Sequence, residues 1–230
     1  MYASLGDVVG YAYWDEWKFE NKDEAYKDCW YWQLGYWILE DVTESIRVVN
    51  EGSSNVLDAP VKRFSNLDFR MKRAQGGRRR GRGTRRKSTE DTNPIYAIDT
   101  RNALTTPCTG RLCNEQIDVV QFNLKLVVEV AQVVPFMQEL STAKSHKFRG
   151  FHGKQPEQTF LHNQISVLES AVAPVDEDSF EHNFYRYGDT PVVELSLLCE
   201  YVFHKTPAFE AMKPEQIKKE LSGDEDEEEA

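Results

Sequence analysis

At 230 residues, with 40% hydrophobic and 12% aromatic content, the chain can fill one substantial core and still carry appendages. Its net charge of −10 conceals an asymmetry: residues 70–87 hold ten of the 28 basic residues and no acid, which leaves 18 basic against 38 acidic residues elsewhere. No stretch reaches the ~18 apolar residues of a membrane helix, and the opening MYASLGDVVGYAYWDEW lacks the basic start and unbroken apolar run of a signal peptide. Four cysteines do not make a disulfide framework. The expectation is a protein at work in the cytoplasm, or one held in the envelope by an anchor upstream of Met1.

In chain order, residues 1–21 form an N-terminal segment without a clear period. From Lys22 to Asn50, Trp30, Leu34, Trp37, Val42, Ile46 and Val49 recur at steps of three to five and predict a helix with one apolar stripe. Asn50 and Gly52 supply its stop. Tyr31, Trp32, Tyr36 and Leu39 lie off that stripe. They cover either another part of this chain or a partner subunit, and are the candidate partner interface. Val61–Phe69 follows Pro60 as a short strand.

Residues 70–115 are too long for an ordinary connection and read as an insertion, basic and partly disordered over 70–88. Its Arg78, Arg79, Arg80, Arg82, Arg85 and Arg86 on a Gly-rich backbone are candidates for binding phosphates of nucleic acid or another polyanion. The bland reading is a solvated loop paired with the acidic surface. No aromatic interleaves these arginines, so any binding would be electrostatic.

Ile117–Val130 alternates strictly, with Val120, Phe122, Leu124, Leu126 and Val128 on one side and Gln121, Asn123, Lys125 and Glu129 on the other. Period two predicts a strand with one buried and one largely wet face. Pro135 opens a helix carrying Phe136, Leu140 and Ala143 inward. Two weaker strands are predicted at Lys147–His152 and Asn163–Ala173, joined by a polar loop with Pro156. A second long alternating strand, Val192–His204, turns Val193, Leu195, Leu197, Cys199, Tyr201 and Phe203 inward and Glu194, Ser196 and Glu200 outward. A short helix from Pro214 to Leu221 precedes an acidic, disordered tail at 222–230. The sum is a single α+β domain over 22–221: a two-layer ferredoxin-like sandwich, in direct or permuted order, with helices on one face of an antiparallel sheet.

Chemical motifs give no purchase for an enzyme. There is no Gly-rich phosphate loop after a strand, no nucleophile elbow and no paired-histidine metal motif. His146, His152 and His162, spaced six and ten apart, read as surface residues rather than a zinc site, Glu194 and Glu200 are too far apart to act together, and neither a metal nor a cofactor is expected. Cys108 and Cys113 could bridge in an oxidising compartment; Cys199 reads as a small core residue.

Two stretches carry a family resemblance. VVQFNLKLVVEVAQVVPFMQEL (Val119 to Leu140) and YRYGDTPVVELSLLCEYVF (Tyr185 to Phe203) resemble the strand-then-helix and the closing-strand entry of the PilO/GspM family of type IV pilus and type II secretion inner-membrane proteins. WYWQLGYWILEDVTESI with Ala59 to Phe64 resembles that family's helix–strand start. The resemblance covers about residues 22–69 and 115–221 and implies a scaffold without chemistry of its own. It implies a homodimer, or a heterodimer with a related pilus or secretion protein, on the periplasmic side of the inner membrane. The family's membrane helix and coiled coil have no counterpart here, and the arginine-rich insertion departs from its pattern.

Overall fold

A computed structural model describes residues 1–3, 17–69, 94–99, 103–105, 108–149, 154, 156–162 and 165–222. The elements are β1 (Tyr2–Ala3), α1 (Lys22–Val49), β2 (Val61–Asp68), β3 (Ile117–Glu129), a 3-10 turn at Val130–Gln132, α2 (Val133–Leu140), β4 (Lys144–Phe148), β5 (Gln158–His162), β6 (Ile165–Pro174), β7 (Val192–His204), α3 (Pro207–Met212) and α4 (Glu215–Ser222). The protein is α+β. Five strands form one mixed sheet in the order β1-β2-β3-β7-β6, parallel only between β1 and β2, while β4 and β5 form a separate antiparallel hairpin.

The centre of the sheet is the β3–β7 ladder, in register from Ile117 opposite His204 to Glu129 opposite Val192. Alternation sends Phe122, Leu124, Leu126, Leu195, Leu197, Cys199, Tyr201 and Phe203 to one face, all at most 2% exposed. The buried stripe of α1 packs there through Leu34, Ile38, Val42 and Ile46. Asn21 caps the helix start by accepting from the Glu24 N–H at 2.9 Å. At the other end Asn50 caps α1 and joins it to β2, its amide donating to the Val61 carbonyl and accepting from the Val61 N–H. Phe136 and Leu140 of α2 complete this layer.

The opposite face is covered too, which corrects the expectation of a wet one. Val119, Gln121, Val127 and Glu200 are all buried. Ala97 and Ala103 pack against Val119 on this face, while Tyr96 forms a bridge beside Val120 and belongs to the core under α1. The Gln121 side-chain oxygen accepts from the Leu104 N–H at 2.6 Å and the Thr105 N–H at 3.2 Å, the role a neighbouring strand would play. Trp30 of α1 donates its indole N–H to the Tyr96 hydroxyl at 2.8 Å, so the insertion is stitched to the helix.

Several boundaries differ from expectation. The hairpin strands are Lys144–Phe148 and Gln158–His162 rather than one strand at Lys147–His152. Ala143 lies beyond α2 and is exposed. The C-terminal segment forms two helices, the first capped by Thr206. Within it Lys213 reaches back to Asp118 at 2.6 Å, a pair with both side chains almost wholly buried; Lys205 is 3.1 Å from the other oxygen. None of the described helices is long and apolar enough to cross a membrane.

Two positions make testable demands. Gly188 has φ +84 and a Cβ placed there would lie 2.8 Å from the Leu57 carbonyl oxygen, whereas Gly52, also at φ +84, has open space around it. Gly52→Ala is expected to cost about 1 kcal/mol of backbone strain, and Gly188→Ala clearly more because of the added clash; urea denaturation of the two variants measures the difference.

The second demand concerns pH. Lys62, fully buried, donates to Glu129 and to the Leu57 carbonyl, each at 2.7 Å, and the Thr190 hydroxyl donates to the same Glu129 oxygen at 2.8 Å. Burial pushes the Glu129 carboxyl up, but these two donors outweigh it and hold it below the ordinary glutamate value. A depressed folded-state value stabilises the fold above the unfolded value and loses that contribution as pH falls through the folded one. The stability gap between the parent and Glu129→Gln is therefore expected to be widest near neutrality and to close below about pH 4. A gap independent of pH, in urea titrations from neutral to acid, would count against the carboxylate's role.

Candidate partner surface on the first helix

A 28-residue helix with one buried face leaves a long opposite face to account for. On α1 that outward face runs through Lys22, Ala25, Cys29, Trp32, Tyr36, Glu40, Thr43 and Arg47, spaced three and four residues apart, the spacing by which one helix meets another. Lys22, Cys29, Tyr36, Glu40 and Arg47 are exposed. Tyr36 is 52% exposed, a large aromatic surface for a helix centre. Trp17 flanks the row, edge-on to Trp32 at 5.8 Å between ring centroids and donating to Asp28 at 2.8 Å. Phe19 beside it is 65% exposed. On the same flank Phe69 and Pro94, the two ends of the arginine-rich segment, close on Gly35, where a side chain would meet both at 3.5–3.6 Å.

Past Tyr36 the outward face becomes the floor of an open groove of about 960 Å³. Its other wall is the corner between α2 and β4, with Glu139, Lys144 and Lys147. Acids and bases alternate around it, and most are already paired: Glu44 with Arg47 at 2.7 Å, and Lys144 with Glu139 at 3.4 Å. The Arg47 hydrogen bond lowers the Glu44 carboxyl. Beneath the floor Asp41 accepts the Tyr201 hydroxyl, and burial followed by the Asp41 charge drives that phenol far above its usual value. That pair is structural: it keeps a buried acid on the helix satisfied by the sheet.

The four aromatic and aliphatic candidates separate. Tyr31 donates to Glu220 at 2.6 Å and lies 6.0 Å from the Tyr96 ring, and Leu39 is part of the core margin. Trp32 is half-buried under Trp17, and Tyr36 is open. The seam sequence reasoning missed, Ala25 and Cys29 in line with Trp32 and Tyr36, was visible as three-four spacing on the polar side of the helix. Arg78, Arg79, Arg80, Arg82, Arg85 and Arg86 lie outside the described residues.

Two other polar clusters occur on the far face. Glu200, expected to be solvated, is fully buried; it accepts from Arg111 at 2.5 Å and Thr109 at 3.0 Å, and Arg111 also donates to Ser166. His182 is 5% exposed, with its Nδ1 2.7 Å from the Tyr187 hydroxyl and its Nε2 3.5 Å from Glu194. Glu181, His182 and Glu194 place donor atoms within 4.8 Å of one another, a set that suits a metal ion. The Lys125 ammonium, 2.8 Å from Glu194 and 3.6 Å from Glu181, already serves those carboxylates as counter-ion. Both clusters bind distant loops to the sheet. Phe180 and Phe184, 85% and 79% exposed, form a further aromatic pair at 6.4 Å in the turn before β7.

Comparison with family models, with curated proteins and with solved structures finds no match.

All four cysteines are free, Cys29 and Cys108 exposed and Cys199 buried. Burial pushes the Cys113 thiol up to about 11, its Sγ lying 3.2 Å from the Val119 N–H. Alkylation at pH 8 is expected to modify Cys108 first and Cys113 and Cys199 only on unfolding; rapid labelling of Cys113 by peptide mass mapping would contradict the packing of segment 108–116.

Proposed function

We propose that the chain is a non-enzymatic assembly module, a scaffold of a pilus- or secretion-type envelope complex that works by pairing with a second copy or a related subunit. The observation that carries this reading is the outward face of α1, a continuous aromatic and small-residue seam leading into an open groove. A helix whose only task is to roof a sheet needs one apolar face. Here Tyr36 and Phe19 stand in solvent beside Trp32 and Trp17. Aromatic residues dominate the energetics of protein interfaces, and an exposed row of them is the pattern an interface requires.

Topology supports the family resemblance. The chain order α1-β2-β3-α2-β6-β7 is consistent with a ferredoxin-like β-α-β-β-α-β sandwich opened one strand later, with the first strand moved to the end. The spatial order β2-β3-β7-β6, antiparallel throughout, is the one that permutation produces. The hairpin β4–β5 is then an addition between α2 and β6, and β1 an addition at the sheet edge. On this reading the domain faces the periplasm.

The test is association. Sedimentation equilibrium is expected to show reversible self-association in the micromolar range, with Tyr36→Ala weakening it about tenfold and leaving the melting temperature unchanged. A chain that stays monomeric at every concentration, with and without Tyr36→Ala, overturns the reading of this face.

A further inference from the structure

The geometry points to a second copy of this chain as the occupant of the outward face of α1, packed antiparallel about a two-fold axis that meets the helix between Trp30 and Tyr31. This rests on the assembly reading above and specifies its geometry.

The order of sizes along the seam is the first argument. Its N-terminal half carries Ala25 and Cys29, its C-terminal half Trp32 and Tyr36. Antiparallel pairing about that axis sets Ala25 of each copy opposite Tyr36 of the other, and Cys29 opposite Trp32. Every large side chain then meets a small one, the condition for close helix approach. Parallel pairing would stack Trp32 on Trp32 and leave a gap at Ala25.

Charge gives the same answer independently. Lys22 and Glu40 lie on the outward face at the two ends of the seam, and both are exposed. To within one residue, about 1.5 Å along the helix, this axis also brings Lys22 of each copy beside Glu40 of the other, so two oppositely charged pairs close the ends of the interface. Parallel pairing would place lysine on lysine and glutamate on glutamate.

The described residues around the seam leave room for it. Trp17 and the pinned ends of the arginine-rich segment bound the seam on one side, and the α2–β4 corner bounds it on the other. The groove beyond Tyr36 is open where the first turns of the second copy's α1 would lie, over Glu40.

The experiment is charge reversal with rescue, read by sedimentation equilibrium of the full chain. Lys22→Glu alone and Glu40→Lys alone are each expected to weaken association about tenfold or more, since each breaks two pairs per dimer, and the double variant is expected to restore it to within about threefold. As a second readout, on a Cys29→Ser, Cys108→Ser background, a mixture of Ala25→Cys chains and Tyr36→Cys chains should form a disulfide-linked dimer on mild oxidation faster than either chain alone. Single variants that weaken association without rescue by the double overturn the antiparallel register. Association indifferent to all three variants overturns this interface but leaves the assembly reading standing. A parent chain monomeric at all concentrations removes the assembly reading itself. Both substituted side chains are solvent-exposed, so an unchanged thermal melt establishes that the fold is intact.

Discussion

Everything in the molecule is arranged around the unbroken pairing of β3 with β7 and the need to cover both of its faces. Thirteen residues in each strand run side by side without a bulge, so the alternation of one strand is locked to that of the other. One face is aliphatic and aromatic, and α1 buries it. The other carries Gln121, Lys125, Glu194 and Glu200 among Val119 and Val127. Polar groups at such positions are tolerated only when they find partners, and each has one drawn from a distant loop: Thr105, Glu181, His182 or Arg111. The second face is therefore closed by hydrogen-bonded loops rather than by a second helical layer.

This division explains which parts of the fold were legible in the sequence. A strand or helix that buries one regular face announces itself by its period, so α1, β3 and β7 are readable to within a residue or so of their limits. The β4–β5 hairpin has no such face: Lys144, Ser145 and Lys147 alternate nothing apolar with anything polar, and its strands escape a periodicity argument. The same limitation makes Glu200 look like a surface residue. Its burial is decided by Thr109 and Arg111, some 90 positions away, and no local pattern encodes such a meeting. Tyr31 shows the reverse case, a side chain off the main stripe whose cover, Tyr96 and Glu220, is this chain itself.

The candidate surface was half legible for a related reason. Aromatic residues off the buried stripe of α1 are visible in the sequence, but which of them remain open depends on what the rest of the chain lays over them. Trp17 shields part of Trp32 and fixes it edge-on, while among the described residues nothing comparable covers Tyr36, which stays half exposed above the groove. Small residues at Ala25 and Cys29 carry no hydrophobic signal, yet they determine how closely another helix can approach. A seam is recognisable only once the helix is known to be roofed on the opposite side.

The energetics of α1 tie these observations together. Inside, it satisfies a buried acid and a buried indole, Asp41 with Tyr201 and Trp30 with Tyr96, and such bonds fix the rotation of the helix about its own axis. A rotation of one residue step, about 100°, would break both and expose the Leu34–Ile38–Val42 stripe. The orientation of the outward face is thus set from within the core. Tyr36 does not drift into solvent because the helix is loose; it is held there by buried hydrogen bonds on the far side of the same cylinder. A surface presented so rigidly loses little conformational freedom when something docks on it, which is the condition under which a modest aromatic seam suffices for stable association.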